Sequence, residues 1–527
     1  MPGTWESDAM TQQIAFTAPH WAATEAGLEI LQRGGTATEA MVAAAAVISV
    51  VYPHMNSIGG DSFWLVHTPG DEAPLAIDAC GRAATNLSAY SKKTQLKSRG
   101  GEACITQAGT IAGWQTALDQ DPRASLELSV LLEPAIRWAE GGIIVTQSLA
   151  DAVRKVLDEG QAPESFRELY APDDKPLAPG DKFMNPALGA TFRTLAENGL
   201  RDFYQGSVAQ RIQQALKAMG SPLSEQDHRQ TQADVVTPLS VSLTGLRCFN
   251  LPAPTQGVHS LQILAQVDRR RSEMTSKADW AHLIIEATKQ SFADRPVILA
   301  DPHTVPSAYH DALSDAVLQS KADRIDMERA REWPFPSELG DTVWMGARDA
   351  SGQLVSFIQS IYWEFGSANV IEDAGFVWNN RGISFSLDAG DINELLPGKK
   401  PRHTLNPAMA LYDNGQRLSY GTMGGEGQPQ TQATLFSRFV WQGASLSQAI
   451  AEGRWLLGRT WGDVDDDLKI EADLADEIGE ELTRRGHRWR QVPACNEMMG
   501  HAGAIFDSGS EVSAATDPRS DGRAEVV

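Results

Sequence analysis

At residue 341 the character of this 527-residue chain changes abruptly. Residues 307–339 are polar and charged, with Lys321-Ala322-Asp323-Arg324 and Glu328-Arg329-Ala330-Arg331-Glu332, and read as an exposed segment leading into something new. From Thr342 the pattern is that of a strand over 342–348, a turn at Asp349-Ala350-Ser351-Gly352, and a second strand over 354–360. Further strand-like stretches end at Trp378 and Tyr420, and helices follow Gln428 and Leu446. Strands and helices mixed in this way predict an α+β sandwich with its helices outside the sheets.

The first part of the chain supplies buried helices. Residues 22–32 have apolar side chains at helical spacing, and Gly34-Gly35 ends that helix. Residues 36–51 are alanine-rich and apolar nearly all round, so this second helix belongs inside a layered fold. Its apolar run, 41–51, is too short to span a bilayer. A loop from Pro53 to Asp61 leads to a strand over 63–67. Residues 126–216 read as a mostly helical scaffold punctuated at Pro134, Pro163 and Pro179. The run 251–257 is a rigid turn before helical segments that continue to Arg295. No internal repeat is evident.

Hydrophobic residues make up 42% of the chain, enough for a sizeable core, and the net charge is -23. That charge disfavours nucleic acid or an anionic membrane surface as partner, since both need clustered Lys and Arg. Cys80, Cys104, Cys248 and Cys495 are widely spaced and suggest neither a zinc site nor a disulfide framework. The first twenty residues lack a secretory pattern, so the cytoplasm is the expected compartment. The acidic run from Asp463 to Asp467 reads as a solvated loop rather than a cation site. No metal and no cofactor are expected.

Three features carry chemistry. Thr342 opens a strand directly after the exposed segment, although most such threonines are only good strand formers. Lys399-Lys400-Pro401-Arg402-His403-Thr404-Leu405-Asn406-Pro407 is a turn dense in donors. Leu418-Ser419-Tyr420-Gly421-Thr422-Met423-Gly424-Gly425-Glu426-Gly427-Gln428 reads as strand, glycine loop and helix. Such a loop offers backbone N–H groups at a helix N-terminus, where negative charge is stabilised. It matches neither dinucleotide nor P-loop glycine patterns, which leaves an oxyanion as the better occupant.

These motifs are where the chain resembles the γ-glutamyltransferase family, over nearly its whole length. The resemblance is carried by Ala26-Gly27-Leu28-Glu29-Ile30-Leu31 with Gly34-Gly35, Val51-Tyr52-Pro53-His54 with Gly59-Gly60, and 287–295. It continues in Asp341-Thr342, Phe365-Gly366, Asn379-Asn380, Met423-Gly424-Gly425 and Asp517-Pro518-Arg519-Ser520. It implies a four-layer αββα N-terminal-nucleophile hydrolase sandwich built jointly by two subunits of one precursor. Cleavage between Asp341 and Thr342 would give a large subunit, 1–341, and a small one, 342–527, with a homodimer of such heterodimers left open. By the same resemblance Thr342 is the nucleophile and its α-amino group the base. Ser360 hydrogen-bonds the nucleophile, Gly424 and Gly425 form the oxyanion hole, and His403 and Thr404 stand where substrate-contacting serines are found. A structural histidine is an equal reading of His403.

The chain also departs from the transferases. Cys80 stands at the place of the arginine that grips the substrate α-carboxylate, with Arg82 two residues on. Ser384 stands where an aspartate holds the α-amino group, and Tyr362 replaces an asparagine. A pocket without that aspartate but with Arg381, beside Asn380, suits an anion lacking an ammonium group. The wording around 53–61 and 424–430 resembles the amidohydrolase branch of the family. This implies a small anionic amide as substrate, with oxamate, cleaved to oxalate and ammonia in purine and allantoin catabolism, in the lead. A γ-glutamyltransferase or glutathione hydrolase, a cephalosporin-type acylase, and a non-enzymatic binding protein of the same fold are the alternatives.

Overall fold

The computed structural model describes residues 12–333, 341–458 and 466–527. Its strands fall into two main antiparallel sheets. In chain order they are β1 (Ala15–Ala18), β2 (Asp61–His67), β3 (Leu75–Ala79), β4 (Asp234–Val236), β5 (Leu239–Leu243), β6 (Leu246–Asn250), β7 (Asp341–Arg348) and β8 (Leu354–Tyr362). They continue as β9 (Ala408–Tyr412), β10 (Arg417–Thr422), β11 (Ala502–Asp507), β12 (Val512–Thr516) and β13 (Arg523–Val526). The first sheet runs β13-β1-β7-β8-β2-β3-β4 and the second β12-β11-β10-β9-β6-β5. Each sheet therefore mixes strands from before and after Thr342.

Side chains alternate along a strand, so each sheet presents two faces. Phe63, Leu65, Trp344, Ile358, Phe249, Met409 and Ile505 share one apolar slab between the sheets. Trp64, Val66, Val343, Met345 and Phe357 face the other way, into a core shared with α1 (Trp21–Gln32), α2 (Ala37–Val51) and α3 (Leu128–Gly141). Cys248, Ala410, Leu418 and Tyr420 face the opposite outer layer, which holds α4 (Gly257–Arg270), α5 (Lys277–Phe292) and α6 (Gln428–Phe436). The order is helix, sheet, sheet, helix.

Local sequence explains the elements that matter most. Every residue of α2 is buried, and a Thr36–Glu39 capping box starts it. The indole of Trp344 crosses the inner slab and donates to Ser356 Oγ at 3.0 Å. A Cβ at Gly421 would fall 2.2 Å from that ring, and one at Gly503 2.6 Å, so glycine there lets the second sheet lie directly on the indole.

Some expectations are corrected. Pro134 lies inside α3 rather than ending it. The same helix buries Leu131, Leu132, Ala135, Ile136 and Ala139 on one face, and that burial outweighs the roughly 3 kcal/mol cost of an interior proline. The segment from 307 is not wholly exposed. It forms helices Ser307–Asp311 and Asp315–Asp323, and Lys321 is buried in a 2.5 Å ion pair with Asp294. Residues 334–339 lie outside the described residues, as do Asp463, Val464 and Asp465 of the acidic run. Asp467 of that run pairs with Lys469 and Arg490. All four cysteines are free, with Cys495 alone exposed. No described helix is long and apolar enough to cross a membrane.

Candidate active site

Strand alternation places the first sheet's polar groups. Thr342 shares the face of Trp344, Ser360 that of Ile358, and Asp61 that of Phe63, all toward the second sheet. Ser360 and Asp61 are register partners in the β8–β2 ladder. In the β7–β8 ladder Gln359 pairs with Val343 and Tyr362 with Asp341, so the register shifts opposite Thr342. This bulge re-aims the chain beside the threonine. Thr342, Ser360 and Asp61, each no more than 2% exposed, thus occupy neighbouring strands at one end of an otherwise apolar slab. Ser360 Oγ accepts the Tyr362 N–H at 2.9 Å.

The second sheet contributes the glycine loop. After β10 the backbone turns left-handed at Gly424 (φ 115°) and Gly425 (φ 52°), which explains glycine at both positions. Gly427 N–H closes the turn on the Gly424 carbonyl at 2.7 Å. Among the described residues, the amides of Gly424 and Gly425 donate to no backbone carbonyl. With the N-terminus of α6 alongside, these amides suit negative charge on an oxygen.

Side chains hold this loop in place. Gln256 Nε2 donates to the carbonyls of Gly425 (2.8 Å) and Thr404 (2.6 Å), tying it to the 403–406 turn. Glu426 forms a buried ion pair with Arg295 at 2.8 Å. Gln428 opens α6, with its Nε2 3.5 Å from Thr342 Oγ1 and its Oε1 accepting the Asn406 N–H at 3.2 Å.

Arg381 is a buried cation at the site. Its guanidinium lies over the Tyr362 ring, 3.6 Å from the centroid, and Nη2 donates to Thr404 Oγ1 at 3.3 Å. Tyr362 holds a left-handed backbone (φ 84°), a strained state for a bulky residue. The Asn-Asn pair positions Arg381 from behind. Asn379 Oδ1 accepts the Arg381 N–H, and its Nδ2 donates to the carbonyls of Gly59 and Gln107. Asn380 spends both amide ends on backbone, accepting from Trp363 and donating to Ser98. Ser384 Oγ donates to the carbonyls of Arg381 and Arg402.

His403 turns inward to Asp61. Its Nδ1 accepts the Leu405 N–H at 3.3 Å, which puts the ring proton on Nε2, 3.0 Å from Asp61 Oδ2. Asp61 Oδ1 accepts the Gly81 N–H at 2.8 Å. Burial raises the Asp61 carboxyl to about 6. Burial, with Arg381 and Lys400 nearby, holds His403 well below 6.5. Cys80 completes a cluster in which carboxylate, thiol and imidazole atoms lie within 4.8 Å of one another. The imidazole is committed on both nitrogens, and burial raises the thiol well above 9, so this is a poor cation cage. In a second cluster, His282, Glu286 and His487, Lys289 already sits 2.7 Å from the Glu286 carboxylate.

One network thus contains Thr342, Ser360, Gly424, Gly425, Arg381, His403 and Thr404, with Asn380 behind it. Arg82 lies apart, a third exposed and 3.4 Å from Asp234. Asp61, Gln256 and Gln428 escaped the sequence reading. Asp61 and Gln428 stand inside runs that it singled out, whereas Gln256 carried no signal beyond its turn. A separate cavity of about 600 Å³, lined by Lys289, Trp333 and His487 among others, contains none of these groups.

The gamma-glutamyltranspeptidase family model matches residues 23–527. The chain is 45% identical over 525 residues to the oxamate amidohydrolase proenzyme of Klebsiella pneumoniae subsp. pneumoniae, covering 98% of this chain and 99% of that one. It is 35% identical over 524 residues to the glutathione hydrolase-like YwrD proenzyme of Bacillus subtilis, covering 98% of each. Among solved structures, cephalosporin acylase from Bacillus halodurans superposes with a TM-score of 0.89 at 27% identity. That match covers 100% of this chain and 98% of the acylase.

Proposed function

The chain belongs to the gamma-glutamyltranspeptidase family of N-terminal-nucleophile hydrolases acting on amide bonds, and from that premise we propose that it cuts itself before Thr342 and then hydrolyses a small anionic amide, oxamate first among them. In self-cleavage Thr342 Oγ attacks the Asp341 carbonyl, and water opens the resulting ester. This leaves residues 1–341 and 342–527 as two interleaved subunits. The freed α-amino group, with an ordinary pKa of about 8, then takes the hydroxyl proton as Oγ attacks the substrate amide. Oxygen–carbon bonding gives a tetrahedral intermediate, whose oxyanion is received by Gly424 and Gly425. The α-ammonium returns its proton to the departing nitrogen, which leaves as ammonia. Water, deprotonated by the same amine, then opens the acyl ester, releasing oxalate and restoring Thr342.

The observation that carries the substrate class is the polarity of the buried groups around the threonine. Arg381 provides a fixed guanidinium, held by Tyr362 and Thr404, for one carboxylate. The Ser384 hydroxyl is turned onto backbone carbonyls and carries no charge to hold an ammonium. Cys80 is enclosed beside Asp61 and His403. This arrangement favours a small amide with one carboxylate over a γ-glutamyl head group. The likeness to the oxamate enzyme supports the same reading. Ammonia release from oxamate, set against release from a γ-glutamyl anilide, tests it. Preferred turnover of the anilide would overturn it in favour of a glutathione hydrolase.

A further inference from the structure

We infer that Gln428 is a further catalytic residue, a neutral hydrogen-bond donor to the oxygen of Thr342. This rests on the reading of Thr342 as the nucleophile. The Gln428 Nε2 atom lies 3.5 Å from Thr342 Oγ1, and both residues are buried. That distance is long for a resting hydrogen bond, and catalytic bonds tighten when charge develops.

The orientation of the carboxamide is fixed. Its Oε1 accepts the Asn406 N–H, so the NH2 group must face the threonine. Asn406 is strapped to α6 a second time, because Gln432 Nε2, one turn along, donates to its carbonyl at 2.6 Å. The Gln428 side chain is therefore delivered by a rigid helix start, and the Gln432 strap remains when Gln428 is changed.

An amide NH2 cannot take a proton from Thr342; it can only donate. It acts where negative charge gathers on Oγ. During attack, the Oγ–carbon bond forms as the Oγ proton passes to the α-amine. During release, a water oxygen bonds to the acyl carbon, the Oγ–carbon bond breaks, and the proton taken by the amine returns to Oγ. In that second step Oγ is the leaving group, and a donor aimed at it lowers the barrier. Self-cleavage uses the same oxygen.

The test uses full-length Gln428→Met, Gln428→Glu and Thr342→Ala beside wild type. Freshly made precursor is timed for appearance of the small subunit, a readout that needs no substrate, and kcat and KM for oxamate are measured on mature enzyme. Gln428→Met should slow self-cleavage and lower kcat roughly tenfold to a hundredfold, with KM within about twofold. Gln428→Glu should be as impaired at pH 8, where its carboxylate only accepts. It should recover toward wild type near pH 6, where a buried carboxyl is protonated and donates. Wild-type rates in Gln428→Met, a loss confined to KM, or a Gln428→Glu to wild-type ratio independent of pH would overturn the inference. If Gln428→Met is not recovered folded, the pH ratio decides alone. Normal cleavage of Thr342→Ala would instead sink the nucleophile reading itself.

Discussion

His403 Nε2 lies 3.0 Å from Asp61 Oδ2, and this contact joins the two sheets at the inner end of the site, since Asp61 opens β2 and His403 leads into β9. The pair is nearly silent to pH in acid. Between about pH 4 and 6 the folded pair holds one proton, on Asp61, whose carboxyl burial raises to about 6. Burial, with Arg381 and Lys400 nearby, pushes His403 toward its neutral form. The unfolded chain also holds one proton in that range, on the histidine, because free aspartate titrates near 3.9 and free histidine near 6.5. Equal proton counts mean no contribution to the pH slope of stability.

Asp61→Asn removes the folded-state proton, so unfolding then takes up one proton below about pH 6. The stability difference should shift in favour of wild type by about 1.4 kcal/mol in total as pH falls from 7.5 to 5. Urea midpoints at pH 7.5 and 5 check this. A gap that is the same at both pH values contradicts the assignment of the proton to Asp61.

Arg381→Met should leave self-cleavage intact, since that step involves no substrate carboxylate. It should lower kcat/KM for oxamate by about two orders of magnitude, in line with losing a charge-assisted hydrogen bond of about 2–3 kcal/mol. A neutral amide of similar size should lose much less. Processing and oxamate hydrolysis at wild-type rates would remove Arg381 from the site. Arg82, already paired with Asp234, would then be tested in its place.

These two positions show what the sequence could and could not disclose. The hairpin from Thr342, the helix α2 and the strand–glycine–helix run to Gln428 were legible because their signals are local: a turn, an alanine-rich apolar run, a glycine pair. The Asp61–His403 contact spans 342 residues and the Gln428–Thr342 contact 86. Both depend on which strands become neighbours across the slab, and no local pattern encodes that. Arg381 was found through its place after the Asn-Asn turn. That Tyr362 would lie beneath it was not, because the contact depends on the bulge that turns the Tyr362 backbone left-handed. The misread segment from 307 failed for a related reason. Its lysine at 321 is buried and finds a partner in Asp294, well outside the run.

Addition of an acceptor dipeptide should raise turnover of a γ-glutamyl donor less than about twofold, because the buried carboxylates described around the site, Asp61 and Glu426, are already partnered by His403 and Gly81 and by Arg295. Product analysis with and without dipeptide reads this directly. Strong stimulation would mean that a head-group clamp exists elsewhere in the site.

Gly424→Ala should fold but lose most of its activity. A Cβ there meets only Gly500 Cα, at 3.8 Å, so the substitution is not blocked by crowding. The cost is the positive φ of 115°, on the order of 1–3 kcal/mol locally, relieved by turning the amide away from the threonine. The expected loss in kcat is about a hundredfold, with little change in melting temperature. Wild-type kcat in this variant would show that the Gly424 amide does not serve the oxyanion.

The central claim is that Thr342 becomes an N-terminal nucleophile, and the intact mass and N-terminal residue of the purified protein test it most directly. Scaling 57.1 kDa by length predicts two co-purifying chains of about 37 and 20 kDa, the smaller beginning with threonine. Thr342→Ala should remain one 57.1 kDa chain without activity. A wild-type protein that stays whole while hydrolysing its substrate, or a Thr342→Ala chain cut normally at the same bond, would contradict it.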